Sequence, residues 1–389
     1  MKTLATEFDP RANSIGFVRW LMAFAVIFSH AGPIAGYYDG HDLGTQWSNE
    51  QSLGGVAVGG FFFLSGFLIT KSRMGRSTTA RFFWRRALRI LPAFWTALLT
   101  TAFVLAPIAW YQEHGTIRGY LLNPIEAPLT YFFNNMTLIL NQRAIAQLGY
   151  GVPYAENWGG RDWNGSAWTL AYEFGAYILV GVLGLVGALV HRRVGAIVAV
   201  GVLALSALQW TGAASLSSLN PVFQDTFILL LLPPFMFGML FALYGDKVPI
   251  DWRLAFAGLA LALYCYARGG YLVVGQYGFY FFLMWFAIRA TKLQRWERFG
   301  DFSYGIYIFA WPLMTLATFF RLEDAGWFVY HLVIVVACHI IAFLSWHLIE
   351  KPAMSLKDWT PKPILWAIAR WGSVRDRLRS RPLTEEAAS

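Results

Sequence analysis

The sequence predicts an all-α polytopic integral membrane protein, with about ten transmembrane helices and both termini on the cytoplasmic side. Three observations carry that class. Hydrophobic residues fill 57% of the 389 positions and charged residues only 14%, with a mean hydropathy of +0.46, outside the range of soluble domains. The apolar residues gather in runs near the length that crosses a hydrocarbon layer as a helix. All but five of the 31 Lys and Arg residues also fall on one side of the alternation that those runs impose.

The runs lie at about 14–35, 53–70, 90–110, 167–190, 194–210, 222–244, 253–268, 271–289, 303–320 and 327–349. With the termini inside, the outward cations are Arg118, Arg143, Arg161, Arg268 and Arg321, as the positive-inside rule requires. The net charge of +9 therefore belongs to a cytoplasmic face meeting anionic lipid or an anionic ligand, and nucleic acid is not an expected partner. No cleavable signal peptide is expected, because the first apolar run is already of spanning length. Residues 1–355 read as one membrane domain without internal repeats, and 356–389 as a basic cytoplasmic tail. Within that tail Ile364, Leu365, Ile368, Trp371 and Leu378 alternate with Arg370, Arg375, Arg377, Arg379 and Arg381. This pattern suits an amphipathic interfacial helix or a solvated basic tail. Cys265 and Cys338 sit in different runs with no metal or disulfide spacing, so packing roles and no metal are expected.

The first run holds Arg19 and His30 as its only ionisable groups between Ile15 and Ile34. Ionisable groups at membrane depth are costly and usually mark a site. Eleven residues are about three helical turns, so the two share one face roughly 16 Å apart. A snorkelling Arg and a His bonded to a neighbouring helix would give the same pattern. The loop after the second run, Lys71 to Arg89, has seven cations and no acid. Arg86 and Arg89 are neighbours on one helix face there, a spacing suited to phosphate and equally to lipid headgroups.

The longest non-spanning stretch, Tyr111 to Ser166, is outward and includes the aromatic segment Tyr131 to Leu140, expected to be re-entrant or interfacial. Asn135 and Asn164 match glycosylation sequons, to which no function is assigned. On the fourth run Glu173 lies about two turns below the outer surface, a depth close to that of His30. The two are therefore expected to pair, through an acid–base contact or a structural hydrogen bond. At the end of the last run His347 and Glu350 are three apart and expected to interact, with Pro352 closing the helix.

Taken together, these motifs resemble acyltransferase family 3, the integral-membrane O-acyltransferases that modify bacterial surface sugars and antibiotics. The matching segments are Arg19 with His30, Phe61-Phe-Phe-Leu-Ser-Gly-Phe-Leu-Ile69, Arg86-Ala-Leu-Arg89, Trp168-Thr-Leu-Ala-Tyr-Glu173, Phe302-Ser-Tyr-Gly-Ile-Tyr307 and Trp346-His-Leu-Ile-Glu-Lys-Pro352. They run in family order over residues 12–355. The resemblance implies transfer of an acyl group, most often acetyl, from cytoplasmic acyl-CoA to a carbohydrate hydroxyl on the far side of the bacterial inner membrane. Exopolysaccharide, O-antigen or a lipid-linked precursor would be the acceptor. It further implies that His30 activates the hydroxyl with Arg19 as its essential partner, and that Glu173 orients His30 or holds the acceptor. Arg86 and Arg89, with the adjoining Arg85, would bind CoA phosphates, while Ser65, Gly66 and Tyr304 shape the core around the thioester.

Two departures from the family stand out. Val58-Gly-Gly60 replaces a run that usually carries an acidic group, and Ala310-Trp-Pro312 lacks the His common before that proline. The second places more weight on His30. Acyl transfer needs a base and an oxyanion donor, the latter here being Arg19 or a backbone amide. Trp158, Trp163 and Trp168 near the outer mouth could stack on sugar rings or form an interfacial belt. The competing class, a transporter or flippase, would show inverted repeats with matching helix breaks. Pro233-Pro234 has no counterpart in the other half of the chain.

Overall fold

The computed structural model describes residues 2–75, 78–214, 216 and 225–359, and the tail helix expected at 363–381 lies outside them. The described residues are helical throughout apart from turns and two isolated bridges. Among the described residues, eight helices are long and apolar enough to cross a membrane: α1 (Ile15–Ala35), α2 (Leu53–Met74), α3 (Thr79–His114), α4 (Gly165–Leu185), α5 (Arg192–Trp210), α6 (Thr226–Leu243), α8 (Tyr271–Arg289) and α10 (Trp327–Asp358). Two helices of 17 residues complete the bundle, α7 (Trp252–Arg268) and α9 (Ser303–Phe319). The chain is a multi-pass membrane protein.

Burial follows composition. α9 carries almost no polar residue except Ser, Thr and Tyr, and it is the most enclosed helix, packed between α1 and α10. α5, α7 and α10 turn large apolar side chains such as Ile197, Leu263 and Phe328 outward, where lipid is the solvent and the helix satisfies its own backbone groups. α2 and α6 approach backbone to backbone. A Cβ on Gly66 would overlap the carbonyl of Phe235, and one on Gly238 would overlap that of Phe63. Small residues at a helix crossing are what close packing in lipid requires. Gly66 is thus a packing residue of this crossing.

The outer stretch is ordered. Its helix Pro128–Asn135 rests on α3, held by Trp95 Nε1 donating to Met136 O at 2.9 Å. Arg161 forks onto both oxygens of Glu126 at 2.7 and 2.8 Å, and Arg143 meets Asp162 at 2.9 Å. Asn135 and Asn164 are both buried and bonded inside this stretch.

The last helix ends differently from expectation. Trp346–Glu350 is a π turn, so His347 and Glu350 do not face one another. His347 Nδ1 bonds the carbonyl of Phe343, while Glu350 is carried inward and buried.

Candidate active site

α1 opens onto two cavities, one at each end, the His30 end being the one expected to face out and the Arg19 end the one expected to face in. The outer cavity, about 250 Å³, is lined by His30 and Asp42 together with Ser52, Trp168, Gln276 and Tyr307. The inner one is small, about 30 Å³, and is lined by Arg19, Glu173 and Tyr304.

At the outer end His30 Nδ1 is 2.9 Å from Asp42 Oδ1. The loop returning from α1 brings Asp42 there. It can pass close because position 32 is glycine, where any Cβ would run into the carbonyl of His41. A relay fixes the carboxylate. The Gly54 amide donates to Ser29 Oγ at 2.9 Å, and Ser29 Oγ donates to the same Asp42 oxygen at 2.9 Å. Burial opposes ionisation of Asp42, but the His30 hydrogen bond and charge, with Ser29, outweigh it and hold the carboxyl below its ordinary value. With Nδ1–H donating to a carboxylate, Nε2 carries the lone pair, the form a general base requires. Trp311 stands edge-on to the imidazole, ring centres 5.0 Å apart, at the place where the resemblance led one to look for a second His.

Glu173 is not the partner of His30. It accepts from Ser65 Oγ at 3.0 Å and from the Tyr177 hydroxyl, and it belongs to the inner cavity. Equal depth on two helices did not bring the groups together, because the helices turn those faces to different chambers.

The inner end is a cluster of compensated charge. Arg19 Nη1 is 2.8 Å from Asp301 Oδ2, and Arg89 donates to the same oxygen. Arg89 also faces Glu350 at 3.5 Å, and Glu350 accepts from Ser345 Oγ at 3.0 Å. Asp301 is largely shielded from solvent, which opposes ionisation, but Arg19, Arg89 and Ser303 hold its carboxyl well below the usual range. The three arginines expected to act together therefore differ. Arg89 is committed to two carboxylates, Arg85 reaches Asp358 at 2.8 Å, and Arg86 is half-buried near Glu173 and Tyr177 with its Nε enclosed and unpartnered. Tyr304 donates to the carbonyl of Ile90 at 2.9 Å.

Of the three tryptophans at the mouth, Trp168 lines the outer cavity. Trp158 is exposed and donates to Gly40 O at 2.7 Å. Trp163 is buried against Phe319 and offers no face to a ligand. Asp42 and Asp301 are the two charged groups that sequence reasoning passed over.

Comparison with known proteins accounts for this plan. A family described as "Acyltransferase domain" (Acyl_transf_3) matches residues 13–349, nearly the whole bundle. The chain belongs to acyltransferase family 3. It is accordingly an enzyme, an acyltransferase. The O-acetyl transferase of Shigella phage Sf6 is 27% identical over 357 residues, covering 88% of this chain and 96% of the relative. Nodulation protein 10 of Rhizobium leguminosarum bv. viciae is 26% identical, with 89% and 94% covered. Acyltransferase MdmB of Streptomyces mycarofaciens matches over 99 residues at 29% identity, a quarter of each chain. No solved structure matches significantly.

Proposed function

We propose that this family member is an O-acetyltransferase of a bacterial inner membrane, crossing it ten times with both termini inside. It moves acetyl from cytoplasmic acetyl-CoA to a hydroxyl of an extracytoplasmic carbohydrate, such as an exopolysaccharide, an O-antigen or a lipid-linked precursor. The observation that carries this reading is His30, its Nδ1 held by Asp42, on the wall of the larger cavity, while Arg19 of the same helix, beside Arg89 of α3 on Asp301, lies about 16 Å away. The name of the phage relative supports O-acetyl transfer. The excess of inward cations supports a donor that enters from inside.

The chemistry follows from these positions. The acceptor hydroxyl gives its proton to His30 Nε2 as its oxygen attacks the thioester carbonyl. The tetrahedral centre collapses with cleavage of the C–S bond, and the CoA thiolate takes the proton back from the imidazolium. Asp42 keeps the tautomer and stabilises the imidazolium. Arg19 opens onto the other cavity and is bound to Asp301, so it serves the donor end, held in shape with Arg89, and is not the oxyanion donor beside His30. Arg86, with its unpartnered Nε, is the first cation to meet CoA phosphates, with Arg85 at the rim. Glu173 and Ser65 form the wall that the pantetheine arm passes, together with Tyr304. Enclosure of the thioester from bulk water limits its hydrolysis.

The test is acyl transfer from labelled acetyl-CoA to a carbohydrate fraction in membranes carrying wild-type protein, His30→Gln or Arg86→Ala at matched levels. Loss of transfer in both, with weakened acetyl-CoA binding only for Arg86→Ala, supports the assignment. Transfer that persists in His30→Gln overturns it.

A further inference from the structure

The two cavities adjoin at three residues that line both of them: Val58 of α2, Thr169 of α4 and Tyr307 of α9. Thr169 and Tyr307 close the space between them with a 2.6 Å hydrogen bond. The phenol also donates to Ser166 O at 2.8 Å, and Ser166 Oγ donates to the carbonyl of Tyr307 at 3.3 Å. Phe61 stands edge-on to the Tyr307 ring, centres 5.9 Å apart. The partition is therefore one side chain thick and pinned from α4, with Val58 as its apolar third wall.

We propose that Val58, Thr169 and Tyr307 form the constriction that selects the acyl group by size. This rests on the reading of the inner cavity as the donor end and of His30 as the acceptor-side base. An acyl group carried on a thioester from inside must then reach this boundary before an acceptor hydroxyl beside His30 can attack it. Its carbonyl carbon sits at the partition, and its alkyl end points into whatever room these three side chains leave. With hydroxyls bonded together on two walls and one branched aliphatic on the third, a longer alkyl chain meets these side chains before a methyl group does. A pocket that discriminates by one methylene does so by roughly 10-fold or more per carbon. The attack itself is unaltered: the hydroxyl oxygen bonds to the carbonyl carbon, the C–S bond breaks, and the proton passes to the thiolate.

The experiment compares acetyl-, propionyl- and butyryl-CoA as donors in membranes carrying wild type, Val58→Ala or Thr169→Ala, with protein amounts matched by detergent-extracted size-exclusion profiles. Wild type is expected to transfer acetyl at least 10-fold better than butyryl. Each enlarging variant is expected to raise the butyryl-to-acetyl ratio by about 10-fold, and Val58→Ile to lower acetyl transfer. A purely structural role would reduce all three donors alike and leave the ratio unmoved. That outcome overturns the proposal, as does a wild-type enzyme indifferent to chain length. If wild type transfers no acyl group from any CoA donor, the underlying functional reading fails and the constriction falls with it.

Discussion

The two ends of α1 follow opposite electrostatic plans. At the outer end one imidazole is held by one carboxylate, and its second nitrogen faces an open cavity. At the inner end two guanidiniums are clamped between two carboxylates, with serine hydroxyls on both acids. A group that exchanges protons keeps one side unengaged. A group that must hold several helices in register at membrane depth is compensated on every side, because an unpaired charge there is costly. Arg19 and His30 look alike as solitary ionisable residues in an apolar run, yet the first is bound to a carboxylate it shares with a second guanidinium, and the second is held through one nitrogen at the wall of a cavity.

The sharpest way to break this comparison is His30→Gln. It keeps a polar side chain of similar size, so thermal stability in detergent is expected to stay near wild type while transfer falls roughly 10³-fold. Asp301→Ala is expected to do the reverse, leaving Arg19 and Arg89 without their shared carboxylate at a cost of about 3–5 kcal/mol. It should appear first as lost yield and a lowered melting temperature. Because Asp301 is held below the ordinary aspartate value of about 3.9, its contribution is complete above that pH. It is lost as pH falls through the depressed folded-state value. The melting gap between wild type and Asp301→Asn should therefore persist from neutral pH down to about 4 and close only in stronger acid.

Asp42→Asn refines the outer half. It removes the charge that fixes the tautomer while leaving the volume, and it is expected to lower transfer roughly 10²-fold with little change in acetyl-CoA binding. The smallest effect is reserved for Tyr131→Phe. Losing the 2.6 Å bond to Asn164 should cost about 1 kcal/mol of stability, read in a melting curve, with transfer preserved.

Much of the fold was legible because lipid imposes a simple rule: length and apolarity mark the helices. Arg19, His30 and the Arg86–Arg89 pair stood out for the same reason, as charge where charge is expensive. Their partners did not. Asp42 lies in a polar loop, among Asp39, Gly40 and His41, where a carboxylate is unremarked until the chain is seen to fold back over Gly32. Asp301 reads as an ordinary residue before a helix start, and its bonds reach 282 and 212 positions back along the chain. Glu173 was matched to His30 by depth alone, and depth along an axis says nothing of the direction in which a helix face turns. The inward rotation of Glu350 depends on a π turn that no spacing in Trp346 to Glu350 announces.

The inner cluster also bears on how the protein is made. Arg19 and Arg89 leave the ribosome in the first quarter of the chain, whereas Asp301 and Glu350 come in the last. For most of synthesis the early helices carry cations whose counter-ions do not yet exist. The ends that carry them must wait near a membrane interface, where water and lipid phosphates can solvate a guanidinium. Arrival of α9 and α10 then lets both arginines settle to their final depth. The last two helices to be translated thus complete the seating of the first and third, and a chain stopped before residue 301 should remain loosely assembled and open to degradation.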